Sequence, residues 1–260
     1  MKTLCIGDAH ADPRHNNKRF EALGNFIIEH KPDNIVQIGD WGSYDSVTFH
    51  TSGKPLLREG MRLADDIASA KDALYKAESP TIKYNEKQAR NKKVQYKPNK
   101  WWLNGNHEER IFTNMMVYPE LLGLIDHHDI VGASEYGWKV VPYRSYIEID
   151  GIQFTHAPTG KRSPKPISGE YVAKRAIEIH DSTIVFGHTH RLVLHDKRTV
   201  GSEYPVYAIN IGWFGDYVPE YIQTPQNLDW WSGLVMLDHY THGQVGIETI
   251  PMEIIMNAYT

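Results

Sequence analysis

The chain carries Gly187-His188-Thr189-His190 directly behind the apolar run Ile184-Val185-Phe186. Two imidazoles two residues apart, on a loop at a strand end, can reach ions held beside a sheet. Four more clusters of this character lie upstream, each behind an apolar run. Asp8-Ala9-His10 follows Thr3-Leu4-Cys5-Ile6, and Gly39-Asp40 follows Ile35-Val36-Gln37-Ile38. Gly105-Asn106-His107-Glu108 follows Trp101-Trp102-Leu103, and His156 follows Ile152-Gln153-Phe154-Thr155. Carboxylates, imidazoles and an amide carbonyl are ligands for divalent transition metals. Taken alone, Asp8-x-His10 reads more readily as a surface turn. Five such clusters, all at the ends of apolar runs, exceed what chance supplies.

The elements needed to position these residues are also legible. Phe20, Leu23, Phe26 and Ile27 recur at helical spacing within 16–31, between the first two apolar runs. Strand, helix, strand in that order predicts a parallel βαβ unit, with both acidic turns at the carboxyl ends of strands. Tyr146–Ile149, Asp150-Gly151 and Ile152–Thr155 read as a hairpin with a type I′ turn. A helix is expected over 169–181, with Tyr171, Ala176 and Ile177 on its apolar face and Ser168 as cap. Short strands at 191–195, 205–211, 232–238 and 244–250 are expected to form a second, antiparallel sheet. Residues 119–145 give no clear pattern.

Residues 54–100 stand apart, with twelve Lys or Arg against six Asp or Glu. That local excess reads either as a substrate-facing patch for a polyanion or as a solvated helical insertion. Leu63, Ile67, Ala70 and Leu74 give it one apolar helical face. Elsewhere composition is restrictive. A net charge of −4 gives no global attraction to nucleic acid or to acidic membranes. The one cysteine, Cys5, cannot form an intrachain disulfide and reads as a buried thiol. Without a signal-peptide pattern or an apolar run of spanning length, the expectation is a cytoplasmic protein with no membrane contact, in the host cytoplasm if the chain is viral. No linker divides residues 1–260, so a single domain with a basic helical insertion at about 54–100 is expected.

Together the five motifs resemble the calcineurin-like metallophosphoesterase superfamily, and they span residues 8 to 190. The resemblance implies an α/β (α+β) fold, a four-layer αββα sandwich of two mixed β-sheets flanked by helices. It implies two adjacent metal ions: Asp8, His10 and His190 on one, Asn106, His156 and His188 on the other, with Asp40 bridging. The mixed nitrogen and oxygen set suits Mn²⁺ first, then Fe, Zn²⁺, Co²⁺ or Ni²⁺, rather than Ca²⁺. It further implies hydrolysis of a phosphate ester by a hydroxide bridging two ions about 3.5–4 Å apart. His107 would donate a proton to the leaving oxygen or stabilise the transition state.

The chain departs from the Ser/Thr protein phosphatase branch. There the bridging aspartate is followed three residues later by a second aspartate and then an arginine; here Ser43 and Tyr44 stand in those places. Asp45, or no carboxylate at all, is expected to orient His107, and Asp45 is grouped with the residues facing substrate. Lys161 and Arg162, on an expected exposed loop over 158–166, are candidate phosphate contacts. Trp213 and Phe214 are candidate walls of the pocket. The long insertion before Asn106 resembles phosphoesterases of bacterial viruses. The basic insertion favours phosphodiesters, nucleotide or nucleic acid. A phosphomonoesterase acting on a small metabolite or nucleotide is the alternative, and a non-catalytic metal-binding scaffold the remote one.

Overall fold

The computed structural model describes residues 1–49, 54–161, 163–198, 200–217, 229–240 and 244–260. Two large mixed sheets carry the molecule. The first contains β1 (Lys2–Ile6), β2 (Asn34–Gln37), β3 (Asn99–Leu103), β4 (Trp138–Val141), β12 (Gly233–His239) and β13 (Val245–Pro251). Its order is β13-β12-β1-β2-β3-β4, with β1 to β4 parallel and β12 antiparallel to β1. The second contains β5 (Ile147–Ile149), β6 (Ile152–Phe154), β9 (Thr183–Phe186), β10 (Leu192–Lys197) and β11 (Val206–Ile211), in the order β10-β11-β9-β6-β5.

Alternation along the strands decides the layers. In β1, Leu4 and Ile6 face outward, onto α1 (Lys18–His30), α2 (Leu63–Arg90) and α5 (Met252–Tyr259). Cys5 faces inward and joins Val36, Leu103, Val235, Phe154, Val185 and Ile209 in the core between the sheets. Buried there, its thiol is pushed far up in pKa, so it stays inert. On the far face, Ile184 and Phe186 pack under α4 (Val172–Ile179). The layers therefore run helix, sheet, sheet, helix, as the resemblance implied.

Three local expectations are corrected. The last four strands do not form a sheet of their own. β10 and β11 extend the second sheet, with β11 parallel to β9, while β12 and β13 return to the first and lie beside β1. α4 begins at Val172; Tyr171 takes the cap position and is exposed, and Ser168 offers its carbonyl to Arg175 rather than its hydroxyl to the helix. The 158–166 stretch is a two-stranded ribbon, β7 (Thr159–Gly160) and β8 (Ser163–Pro166), rather than an open loop. The predicted hairpin forms as expected, with Asp150 and Gly151 at φ 51° and 76°, the left-handed pair that a type I′ turn requires.

α2 is one 28-residue helix lying across α1. Its first half holds the site loops: Ala70 accepts from the Trp41 indole at 3.0 Å and Asp66 from the Ser46 hydroxyl at 2.6 Å. Its basic second half runs the other way. Lys31 donates to Tyr84, and Tyr96 donates to the Pro32 carbonyl, at the amino end of β2. Pro32 and Asp40 flank opposite ends of that four-residue strand, eight residues apart and at most about 26 Å at 3.3 Å per residue. The basic stretch from Lys83 to Lys100 thus lies at the far end of the sheets from Asp40, which removes the geometric basis for a substrate-facing patch. Among the described residues, no helix is long and apolar enough to cross a membrane.

Candidate metal centre

Every motif residue sits just past the carboxyl end of a parallel strand: Asp8 and His10 after β1, Asp40 after β2, Asn106 after β3, His156 after β6, His188 and His190 after β9. The first three loops come from one sheet and the last two from the other, so they converge at one edge of the sandwich. Backbone bonds lock them together. Ala9 and His10 both donate to the Asp40 carbonyl at 2.9 Å, and Ala11 donates to Trp41 at 2.7 Å. His188 donates its backbone N–H to the Asp8 carboxylate. Gly105 must be glycine, because a β-carbon there would strike the Asp40 carboxylate.

The side chains form one buried cluster. Ligand atoms of Asp8, His10 and His190 lie within 4.8 Å of one another, as do those of His10, Asp40 and His107, and of Asp40, His156 and His188. Asn106 Oδ1 is 2.9 Å from His156 Nε2 and 2.8 Å from His188 Nδ1. All seven proposed ligands are therefore brought together, with Asp40 in two of the three groups.

The arrangement fits cations. His10 Nε2 and His190 Nε2 face each other at 3.1 Å, while the buried Nδ1 atoms of both rings have no partner. Burial, then His107 and His190, keep His10 neutral, and burial with His156 takes His188 down to about 4. Neutral imidazoles offer lone pairs. Burial opposes charge on Asp40, but His156 and His107 hold it well below the usual carboxylate range. Burial likewise opposes a proton on His156, yet Asp40 raises it to about 9; a divalent ion would take that proton's place. The backbone agrees. His10, Asp40, His188 and His190 all have φ between 47° and 72°, a region that non-glycine residues enter rarely and mostly at functional sites.

His107 lies beside the cluster in the first turn of α3 (Asn106–Val117). Asn106 and His107 are the first two residues of that helix. The Asp40 carboxylate accepts the His107 backbone N–H at 2.8 Å. The ring is fixed at both nitrogens: Nδ1 is 2.7 Å from the Ser43 carbonyl and Nε2 is 2.8 Å from the Arg110 guanidinium. Among the described residues Asp45 makes no hydrogen bond to His107. Its oxygens are taken by Arg110 and Arg14, both at 3.0 Å, and Arg14 also pairs with Asp12. Burial and Arg110, against Asp40, bring His107 down to about 4.

Two functional side chains escape sequence reading. Glu108 accepts the backbone N–H groups of Gly105, Trp41, Asp40 and Gly42, clamping the Asp40 loop to α3. Burial and the nearby Asp40 push its carboxyl to about 7, against the pull of those donors. Arg19, fully buried on α1, donates to the carbonyls of Ala9, His10 and Phe214 and pairs with Asp216. The signal for Glu108 was its place three residues after Gly105, the spacing of a capping carboxylate. Arg19 gave none.

Trp213 lines the centre. It bridges to Asp8 through the backbone, and its ring stacks on His190 at 5.8 Å. Trp230 meets His190 edge-on at 4.0 Å, and Tyr217 donates to the His10 carbonyl. Phe214 belongs instead to the core beside Phe20. Lys161 is exposed at the turn of the β7–β8 ribbon, and among the described residues no hydrogen bond or ion pair joins it to the cluster. Arg162 lies outside the described residues.

No protein-family model and no curated protein matches the sequence. Among solved structures, zinc-bound Vps29 of Entamoeba histolytica is similar at 14% identity and a TM-score of 0.38, over 97% of this chain and 99% of its own. A second is similar at 10% identity and a TM-score of 0.39, over 95% of this chain and 98% of its own. At these scores neither likeness bears on what the chain does.

Proposed function

We propose that this chain is a two-metal phosphoesterase of the calcineurin-like superfamily, built as a single domain. The observation that carries the reading is the convergence of Asp8, His10, Asp40, Asn106, His156, His188 and His190 from five strand ends of two sheets, with Asp40 common to two donor groups. Asp8, His10 and His190 would hold one ion and Asn106, His156 and His188 the other, with Asp40 between them. When bound, two divalent ions supply positive charge to the phosphate oxygens and an activated water. The protein's part is orientation. Glu108 fixes the Asp40 loop, Arg19 fixes the Asp8 and His10 loop, and Trp213 walls out water on the His190 side. His107 would act on the leaving group by proton donation or transition-state stabilisation, and either requires its Nε2 to exchange the Arg110 guanidinium for substrate.

The substrate is a phosphate ester. With the basic helix half at the opposite end of the sheets, long nucleic acid loses its support, and a compact diester remains the leading substrate. The aromatic wall of Trp213, Trp230 and Tyr217 favours a second reading, a monoester of a small metabolite or nucleotide. Mn²⁺-loaded protein should be given bis(p-nitrophenyl) phosphate and p-nitrophenyl phosphate side by side, with Asp40→Asn and His107→Ala as controls. Turnover of either ester that both variants abolish supports the reading, and the preferred ester selects the class. Two bound metals with no turnover of either ester would leave a metal-binding scaffold; no bound metal would overturn the reading altogether.

A further inference from the structure

A guanidinium stands within the cluster's reach that no motif assigns. Arg110 lies one helical turn beyond His107 on α3 and is only 14% exposed. One Nη1 hydrogen goes to the Ser43 carbonyl at 2.8 Å and the other to Asp45 Oδ1 at 3.0 Å, while Nη2 donates to His107 Nε2 at 2.8 Å. A guanidinium has five N–H donors. Among the described residues Nε and the second Nη2 hydrogen make no hydrogen bond. His107 Nε2 is itself 3.8 Å from Asp40 Oδ2, so the free donors lie at the rim of the cluster and within one side chain of its shared carboxylate.

Asp45 is held in turn. Arg14 bonds its other oxygen and anchors on the buried Asp12. The row Asp12, Arg14, Asp45, Arg110 therefore keeps one arginine in a single pose, with two donors left over. A surface ion pair contributes little and would not need such support. A fixed planar fork is what bidentate recognition of a tetrahedral oxyanion requires. Arg14 suits the task less, because its side chain is 40% exposed and it meets Asp45 rather than His107.

We propose that Arg110 is an oxyanion-binding residue, which takes a non-bridging oxygen of the substrate phosphate. Asp45 is its positioning residue. The inference rests on the phosphoesterase reading and adds a substrate contact from the chain itself. It also gives Asp45 a role, through Arg110 rather than on the histidine. Phosphate charge is then met by the ions on one side and by a protein cation on the other.

The test uses the Mn²⁺-loaded full chain, with tungstate, a tetrahedral dianion, as probe. Calorimetry gives tungstate affinity, metal analysis gives occupancy, and ester hydrolysis gives kcat and KM. Arg110→Ala and Arg110→Lys should both keep their two metals. Arg110→Ala should weaken tungstate at least tenfold and lower kcat/KM by about 10²–10³, the scale of one oxyanion donor. Added guanidinium should restore part of that turnover in Arg110→Ala and none in the wild type, which a merely structural arginine would not show. Arg110→Lys should recover less than tenfold, because it lacks the fork, and it serves if the alanine variant does not fold. Asp45→Asn should shift kcat/KM and tungstate affinity in the same direction. Wild-type tungstate affinity and turnover in Arg110→Lys and Arg110→Ala would overturn the proposal while leaving the phosphoesterase reading standing. Wild-type protein that neither hydrolyses esters nor binds tungstate would overturn both.

Discussion

Replacing Arg19 by methionine should weaken the fold and the metal centre together. Methionine keeps most of the apolar stem but none of the donors. The Ala9 and Phe214 carbonyls, bonded at 2.9 and 3.1 Å, would be left buried and unpaired. The His10 carbonyl, at 3.4 Å, loses a weaker bond. Asp216 is 20% exposed and can rehydrate, so its loss adds little. Two unpaired carbonyls at about 1–3 kcal/mol each give about 2–6 kcal/mol. Burial disfavours the charged guanidinium more than Asp216 restores it, and relief of that strain offsets part of the loss. About 2–4 kcal/mol should remain. For a chain of this size that is a fall in Tm on the order of 10 °C. Because Arg19 ties the loop of Asp8 and His10 to the loop of Trp213, metal affinity should fall about 10–100-fold, as for other groups that orient ligands. Urea unfolding of metal-free protein measures the first effect and calorimetric Mn²⁺ titration the second. A loss below about 0.5 kcal/mol, with wild-type Mn²⁺ affinity, would refute the reasoning.

Gly24→Ala should destabilise although alanine is the better helix former. Its β-carbon would lie 2.5 Å from the Ala77 carbonyl and 2.7 Å from the Pro80 ring, neither of which can rotate away. Overpacking costs about 1–3 kcal/mol against about 1 kcal/mol of gained propensity, so chemical denaturation should show a net loss. Reversing Lys83, Lys87, Lys92 and Lys93 to glutamate should change ester turnover less than about twofold, since they lie well beyond a Debye length from Asp40. A tenfold drop would return the insertion to the site.

Local pattern made much of the fold and the centre legible. The strand ends, the Asp150-Gly151 hairpin and the motif loops all depend on neighbours in sequence. What escaped depends on partners far along the chain. The periodicity of 233–239 announces a strand, but its pairing with β1 rests on contacts such as Thr3 with Leu237, which no local rule encodes. Arg19 looks like one more polar residue between apolar helical positions, yet its end of α1 runs under the site loops. Phe214 and Trp213 read alike, but only the second faces the cluster. The basic stretch after Lys83 was assigned by charge, and charge alone does not say to which end of a 28-residue helix it is carried.

The pairing of β1 has a consequence for synthesis. β1 lies between β2 and β12, and Asp8 is bridged to Trp213. A chain emerging from its amino end presents β1 early, yet one edge of that strand stays open until residues 233–239 arrive. The donor set is complete in sequence at His190 but is not braced until then. Metal capture should therefore wait for β12, and ribosome-bound chains ending before it should hold ions weakly. The open edge is the long-lived hazard of this topology, a site for wrong pairing while the nascent protein waits.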